Sequence, residues 1–137
     1  MKRKAVLYRK SKDGKKAFYI DVENAESILY FLKSDEANLK KFRYALDLLL
    51  EGRPPRDLYD KENFDKSCEH VTAIKLFKGK KNPRIYCLQY TDGCTKVFVI
   101  IAAELLEKKK SEGLTNKEKT IINRVASYQY TLVDETE

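Results

Sequence analysis

The fold of this chain is decided by the stretch from Lys75 to Lys110, KLFKGKKNPRIYCLQYTDGCTKVFVIIAAELLEKKK. Within it, Pro83 to Tyr90 has the composition of a β-strand, Thr91 to Cys94 contains a turn dipeptide, and Thr95 to Ala102 is the returning strand. Another strand-like run, Val71 to Phe77, precedes them, and Lys78 to Asn82 is the turn between. We therefore expect three consecutive antiparallel strands, followed by a basic cluster just beyond the last one.

The segments ahead of this meander carry first strand signals and then helix signals. Ala5 to Tyr8 and Ala17 to Ile20 are short strand candidates, and Lys12 to Lys15 between them contains a turn dipeptide. Two segments with helical spacing follow, the first after the N-cap candidate Asn24 and the second ending at Gly52. Their apolar stripes are Ala25, Ile28, Leu29 and Leu32, then Leu39, Phe42, Ala45, Leu46 and Leu49. This order predicts a β-hairpin and then an antiparallel helical hairpin.

The remaining segments complete a single α+β domain covering residues 1–137. Arg56 to Cys68 is polar and charged, which predicts a packed loop. Thr115 and Glu118 have the spacing of a capping box at the start of a last helix. The apolar face of that helix is Ile121, Ile122, Val125 and Tyr128. Residues 131–137 are expected to be a disordered tail.

The predicted architecture is an antiparallel sheet made of the meander and the N-terminal strand or hairpin. The helical hairpin and the C-terminal helix are expected to cover one face of this sheet.

Composition restricts the class of partner. The chain has 137 residues, 42% of them hydrophobic, and its 28 lysines and arginines exceed its 21 acidic residues to give a net charge of +7. Such an excess favours polyanions or an acidic protein as partners, although the same charge can also be solvated surface. No apolar run approaches the length of a membrane span, and Met1 to Lys4 is not followed by the apolar core of a signal peptide. We expect a cytoplasmic protein with no membrane partner.

The cysteines and the single histidine favour neither a metal site nor a disulfide framework. Cys68, Cys87 and Cys94 are odd in number and lack the spacing of zinc ligands, so reduced thiols are expected. Cys68 and His70 could be a nucleophile with its base, and the alternative is a packed thiol beside a surface imidazole. The glycines form no phosphate-binding motif, so neither a nucleotide nor another cofactor is expected.

Cations occupy particular points of the predicted strands. Alternation gives one face of the Pro83 to Tyr90 strand the side chains Arg84, Tyr86, Leu88 and Tyr90. Lys75 interrupts an apolar strand, where a lysine either extends to solvent at the sheet edge or faces a functional groove. Lysine binds phosphate as a point charge and arginine as a planar fork. Phosphate is therefore the substrate group that this pattern favours.

The order of these segments resembles the phage Gp49-like, HigB-type branch of the RelE toxin superfamily. The resemblance covers residues 5–130 and rests on short motifs in a common order: Leu7-Tyr8, Phe31-Leu32, Ala45 to Leu49, Ile74 to Leu76, Arg84 to Tyr86, Val97 to Ile101 and Lys108-Lys109. It implies a helical hairpin ahead of an antiparallel sheet. Members of this family are typically messenger-RNA endoribonucleases, many acting on the ribosome and neutralised by a cognate antitoxin.

The resemblance also implies a set of site residues. Lys75 is similar in position to the basic residue of the family's leucine-arginine strand motif, and Lys108-Lys109 to the paired lysines after its last strand. Arg84 to Tyr86 is similar to the family's arginine-hydrophobic-tyrosine strand. These four residues are the expected catalytic set. Lys78, Lys80, Lys81, Tyr86 and Lys110 are expected to contact RNA. The chain departs from the family pattern at Lys75, where an arginine with its bidentate fork is usual, and at Leu106, where an aromatic residue is usual.

One mechanism follows from the resemblance. Attack of a ribose 2′-hydroxyl on the adjacent phosphate concentrates negative charge, which fixed cations can stabilise without a metal. Arg84 would hold the phosphate, and Lys75 or Lys108 would donate or accept the proton. We expect these residues and Lys109 to converge on one concave region of the sheet. The expected partners are messenger RNA, the ribosome and a cognate antitoxin.

Two alternatives remain open at this point. One is a catalytically inactive RelE-like module that binds RNA or a protein through its basic face. The other is a phage-derived structural or regulatory protein whose charge serves solubility only.

Overall fold

The computed structural model describes residues 2–61, 68–76, 83–107 and 116–134. These parts of the chain contain seven strands: β1 (Arg3–Lys10), β2 (Lys16–Asp21), β3 (Tyr59–Lys61), β4 (Val71–Lys75), β5 (Arg84–Thr91), β6 (Phe98–Leu106) and β7 (Tyr130–Val133). Their three helices are α1 (Ala25–Lys33), α2 (Glu36–Glu51) and α3 (Asn116–Ser127). None of these helices is both long and apolar enough to cross a membrane. The α+β class predicted from the sequence is confirmed.

All seven described strands join one sheet in the order β3-β4-β5-β6-β2-β1-β7. The predicted meander is confirmed, because β4 pairs antiparallel with β5, and β5 pairs antiparallel with β6. The sheet is not antiparallel throughout, since β2 pairs parallel with β6 and β7 pairs parallel with β1. A parallel pair needs a long crossover, and between β2 and β6 this crossover contains α1, α2 and the first strands of the meander.

The N-terminal hairpin is confirmed, with strands longer than the sequence predicted. β1 and β2 pair antiparallel. In the turn between them Gly14 has a φ of +74°, a left-handed conformation that glycine adopts without strain. The hydroxyl of Ser11 donates a hydrogen bond to Asp13 Oδ1 at 2.7 Å and closes the same turn.

The β5–β6 hairpin is also present, but its returning strand is displaced along the sequence. It begins at Phe98 rather than at Thr95. The carboxylate of Asp92 accepts hydrogen bonds from the backbone amides of Cys94 and Thr95, at 2.8 and 3.0 Å, and this holds the segment in a turn. The strand then reaches Leu106, beyond its predicted end.

The helical hairpin packs on one face of the sheet through its predicted stripes. Its buried residues are Ile28 and Leu32 on α1, and Phe42, Ala45, Leu46, Leu49 and Leu50 on α2. Asp35 caps α2 by accepting a hydrogen bond from the amide of Ala37 at 2.8 Å. Asn24 occupies the N-cap position of α1 as predicted, but its side chain donates instead to the carbonyl of Ala103 in β6, at 2.7 Å.

The opposite face of the sheet carries α3, so the expectation of helices on one face only is wrong. Side chains alternate along β5: Ile85 and Cys87 belong to the core beneath α1 and α2, whereas Tyr86 belongs to a second cluster beneath α3. That second cluster takes Ile121, Ile122 and Val125 from the predicted stripe of α3. An apolar stripe predicts that a helix is amphipathic, but it does not specify which face of the sheet the helix covers.

Two short edge strands are absent from the sequence prediction. β3 lies within the segment expected to be a loop, and it pairs antiparallel with β4. β7 lies where the disordered tail was expected to begin, and its residues pair with Arg3 to Val6 of β1. The prediction of disorder is therefore wrong for residues 131–133, because this pairing fixes their backbone. Residues 135–137 lie outside the described part of the chain.

Candidate functional site

The predicted cations Lys75 and Arg84 are direct neighbours in the sheet. Lys75 is the last residue of β4, Arg84 is the first residue of β5, and the two are register partners. Arg84 is also the register partner of Leu106, the last residue of β6. Residues directly opposite each other in neighbouring strands share a face of the sheet. Lys75, Arg84 and Leu106 therefore form a row across one end of the sheet, called the strand-end row below.

The strand-end row lies on the face that carries α3. Ile74 and Ile85, one position along from the two cations, belong to the core beneath α1 and α2, so Lys75 and Arg84 point to the other face. Both cations are half-buried. The Nε atom of Arg84 is enclosed, and this side chain already interacts within the protein. The surface that a ligand could contact at the row is therefore that of Lys75 and part of Arg84.

Tyr86 was expected to contact RNA, and the structure places it in the core. It lies on the same face as Arg84 but is fully buried in the cluster beneath α3. A buried ring presents no surface on which a base could stack, so an RNA contact by Tyr86 does not fit this structure. Alternation along a strand correctly predicts the face of the sheet on which Tyr86 lies, but it does not predict how deeply the side chain is buried.

The remaining predicted site residues lie outside the described part of the chain. They are Lys78, Lys80, Lys81, Lys108, Lys109 and Lys110. In the sequence, the first three fall between Lys75 and Arg84, and the last three begin two positions after Leu106. All six therefore belong to segments that connect to the sheet at the strand-end row. The predicted convergence is found for Lys75 and Arg84, and for Lys108 and Lys109 it stays a prediction.

A polar cluster around the carboxylate of Glu104 lies in β6, two residues before Leu106. The sequence pattern did not predict it. Glu104 accepts two hydrogen bonds from Arg124 of α3, from Nε at 2.6 Å and from Nη2 at 2.5 Å. It accepts a third from the hydroxyl of Tyr128 at 2.5 Å. Burial acts to raise the pKa of Glu104, but these hydrogen bonds outweigh it and leave the pKa below its ordinary value. The ionised carboxylate fixes the plane of the Arg124 guanidinium.

A second polar cluster joins both ends of the described chain. The fully buried carboxylate of Asp21 accepts hydrogen bonds from Arg3 Nε at 2.8 Å and from the hydroxyl of Tyr130 at 2.6 Å. The Arg3 guanidinium also lies over the ring of Tyr128, 4.1 Å from its centroid. The hydrogen bond to Asp21 raises the pKa of Arg3, although burial opposes it. These contacts hold β7 and the end of α3 against β1 and β2, which is a structural role.

The cysteines and the histidine occupy packing and surface positions. Cys68 is buried, and its thiol donates to Asn123 Oδ1 of α3 at 3.3 Å. His70 is exposed, with its Nε2 atom 3.6 Å from a carboxylate oxygen of Glu69. A packed thiol beside a surface imidazole is therefore the alternative that fits. Burial raises the pKa of the Cys87 thiol far above its ordinary value, which disfavours a thiolate nucleophile there.

None of the three cysteines, all of which are described, forms a disulfide. Among the described residues, no group of three or more histidine, cysteine and acidic side chains is arranged to hold a metal ion.

The two polar clusters left different signals in the sequence. Glu104 interrupts the apolar run from Val97 to Leu106, and a charged residue within a buried strand indicates that a partner exists. Its partner Arg124 is exposed on the polar side of a predicted helix and gives no such indication. Asp21 and Tyr130 are separated by 109 positions, so no local pattern relates them.

Comparisons of the chain with protein-family models, with curated proteins and with solved structures found no match. The resemblance to RelE-type toxins therefore stays a prediction from the residues.

Proposed function

We propose that the chain is a HigB-like member of the RelE superfamily, the toxin of a type II toxin–antitoxin system, and that it cleaves messenger RNA. The observation that carries this proposal is the register pairing of Lys75 with Arg84, because it sets two cations side by side at one end of the sheet. Six further lysines belong to the segments that connect to that end. A high density of lysine in the sequence around these two cations suits a phosphate backbone.

The order of the elements also supports the proposal. The helical hairpin α1–α2 precedes the antiparallel strands β4, β5 and β6, which is the order that the resemblance implies. The N-terminal hairpin and β7 extend the sheet beyond β6, on the side opposite β5. They leave β4, β5 and β6 adjacent to one another, with the two cations on neighbouring strands.

The proposed reaction is attack of a ribose 2′-hydroxyl on the adjacent phosphorus atom. A bond forms between O2′ and phosphorus while the bond to the 5′-oxygen of the next nucleotide breaks, which leaves a cyclic phosphate and a 5′-hydroxyl end. A base takes the proton of the 2′-hydroxyl, and an acid returns a proton to the leaving oxygen. Arg84 would bind the non-bridging oxygens, and Lys75 would stabilise the charge or carry the proton.

The proposed setting is the cytoplasm, with messenger RNA on the ribosome as substrate. A ribosome would hold the RNA in a conformation ready for attack, which reduces what the protein itself has to supply. A cognate antitoxin would bind the toxin and prevent its activity. A net charge of +7 favours an acidic surface on that partner.

The test is growth arrest after induced expression, with a matched arginine as control. Arg84→Ala should lose toxicity, because removing one charge-assisted contact in a transition state costs on the order of 3 kcal/mol, about a hundredfold in rate. Arg84→Lys should recover part of the toxicity, since lysine keeps the charge but not the fork. Arg43→Ala removes an exposed arginine from α2 and should arrest growth like the wild type. Thermal melting reports whether each variant is folded.

A second candidate function is favoured by the surroundings of Arg84. Its Nε atom is enclosed and its side chain interacts within the protein, as expected for a residue that supports the fold. In that case the chain is a catalytically inactive RelE-like module that binds RNA or a protein. An Arg84→Ala variant that melts at a clearly lower temperature than the wild type, together with a wild-type chain that binds RNA in a salt-dependent manner without arresting growth, would favour this second function.

A further inference from the structure

An open groove lies beside β6 at the point where its neighbour β2 has ended. The last register pair of these strands is Ile20 with Ala102, and β6 then continues to Leu106. Over this extension the described strands flank β6 on one side only, the side of β5. The space left on the other side is a groove of about 460 Å³ between the first turn of α1 and the side of α3. It is called the β6 groove below.

The β6 groove adjoins the strand-end row at Leu106. Leu106 lines the groove and is also the register partner of Arg84. Neighbouring strands lie about 4.8 Å apart, so Leu106 on the edge of the groove is close to the phosphate position proposed at Arg84. A single-stranded RNA whose phosphate contacts Lys75 and Arg84 can therefore extend its adjacent nucleotide into the groove.

Charge distinguishes the groove from the row. The side chains at the three row positions are two cations and a leucine, and the Arg84 side chain already interacts within the protein. The charged residues that line the groove are balanced in number, since Lys117 and Arg124 are cationic and Glu104 and Glu107 are anionic. A balanced set of donors and acceptors suits a neutral group with polar edges better than it suits a phosphate. Among the parts of a nucleotide, that group is the base.

The lining also offers surfaces against which a flat ring can lie. Leu105, Leu106 and Ile121 are its apolar residues. The Arg124 side chain remains 48% exposed while two of its nitrogens bind Glu104. Its guanidinium is therefore fixed in orientation within a side chain that stays partly exposed, and arginine planes stack on unpaired bases.

We propose, on the basis of the proposed function, that the β6 groove binds one base of the single-stranded RNA held at the strand-end row. Arg124 stacks on the base, and Glu107, Lys117 and Ser27 supply hydrogen-bonding groups for its edges. The groove then selects the nucleotide beside the bond that is cleaved. Sequence preference is thus a property of α1, α3 and the end of β6, whereas phosphate binding is a property of the row.

The test is a titration of the isotopically labelled full chain, followed by NMR, with nucleoside 5′-monophosphates and with ribose 5-phosphate. Ribose 5-phosphate carries the phosphate and sugar without a base. The wild type should bind at least one of the four nucleotides about tenfold more tightly than ribose 5-phosphate, with shifts at the amides of Leu105 and Arg124. Equal affinity for all five compounds overturns the proposal.

Two tryptophan variants in the first turn of α1 localise the binding. Ser27→Trp places a large ring in the groove and should reduce nucleotide affinity to that for ribose 5-phosphate. Glu26→Trp, at the neighbouring exposed position outside the groove lining, should bind like the wild type. Unchanged binding by a folded Ser27→Trp variant overturns the proposal.

A polar variant gives an independent check on the same groove. Glu107→Arg replaces an exposed acceptor by a donor and should change the order of affinity among the four nucleotides. An unchanged order would contradict a role for Glu107 in reading the base. Base-dependent binding by a chain that cleaves no RNA in cells would support the groove and contradict the proposed function, so the two failures are distinguishable.

Discussion

The two faces of the sheet are built differently. The face beneath α1 and α2 is covered by apolar side chains from both helices and from β2, β4, β5 and β6. The face that carries α3 is divided into two smaller apolar clusters, with the Glu104 and Asp21 networks and the strand-end row among them. Among the described residues, the α1–α2 cluster contains sixteen buried residues and the α3 cluster nine.

This difference indicates a division of roles. Apolar burial contributes most of the favourable free energy of folding, so the α1–α2 face is expected to determine stability. Charged groups cost desolvation when the chain folds, so their net contribution to stability is smaller than that of apolar burial, and their concentration on the α3 face makes that face the candidate for function.

Truncating the centre of the α1–α2 face should have the largest effect on stability. Phe42 is fully buried, and its ring packs edge to face against Phe18 with 5.8 Å between the centroids. Phe42→Ala should lower the free energy of unfolding by about 3–5 kcal/mol. Tyr44→Ala, on the same helix but 53% exposed, should lower it by less than about 1 kcal/mol. Urea unfolding of both variants measures this difference, and equal losses would contradict the assignment of the core.

Breaking the buried ion pair of the α3 face should have a somewhat smaller effect. Asp21→Asn removes the charge that accepts hydrogen bonds from Arg3 and Tyr130, and should cost about 3 kcal/mol. Because these bonds hold β7, backbone amides of residues 130–133 should exchange faster with solvent deuterium. Glu23→Gln breaks only the 2.9 Å pair between Arg3 and a 64% exposed carboxylate, and should cost less than about 1 kcal/mol. Equal protection of β7 in wild type and Asp21→Asn would refute this account.

Acid should weaken the α3 face through Glu104. The pKa of Glu104 is below its ordinary value of 4.5 in the folded protein. Its contribution to stability is therefore complete above pH 4.5 and is lost as the pH falls through the lower, folded value. Glu104→Gln should cost about 1–2 kcal/mol at neutral pH and show a smaller loss of stability on acidification than the wild type. The exposed Glu107→Gln variant is the control, and the measurement is the melting temperature of all three chains between pH 3 and pH 7. The same pH dependence of the melting temperature in all three would argue against this role of Glu104.

Cysteine labelling should reveal a smaller difference between the faces. Cys87 is buried beneath α1 and α2, Cys68 is buried beneath α3, and Cys94 is exposed. Local opening exposes a buried thiol, and the smaller cluster should open more easily. Under native conditions we expect Cys94 to react first, and Cys68 to react about tenfold faster than Cys87, a difference of about 1.4 kcal/mol in opening free energy. Faster labelling of Cys87 than of Cys68 would contradict this order of opening free energies. As a control, all three thiols should react in denaturant.

Elements with local signals were predictable from the sequence. The N-terminal turn has a glycine where a left-handed residue is required, and α2 is bounded by Asp35 and Gly52. β3 was missed because Asp60 and Lys61 are charged, as edge strands often are. β7 was missed because only four residues pair with a strand at the other end of the chain, and no local pattern encodes such a partner.

The candidate site was predictable in part for the same reason. A meander brings the end of one strand beside the start of the next, so the sequence could relate Lys75 to Arg84. It could not show that α3 covers Tyr86, since the depth of a strand residue depends on where a distant helix packs. The sequence also did not predict the β6 groove, because the groove depends on where β2 ends relative to β6.

The central claim is that the strand-end row cleaves RNA while the α1–α2 face supports the fold. The most direct measurement is mapping of RNA 5′-ends in cells after induction of the wild type, Lys75→Ala and Lys40→Ala, where Lys40 is an exposed lysine of α2. We predict new 5′-hydroxyl ends with the wild type and Lys40→Ala, and about a hundredfold fewer with a Lys75→Ala protein that melts like the wild type. Equal cleavage by folded Lys75→Ala, or no cleavage by the wild type, would contradict the claim.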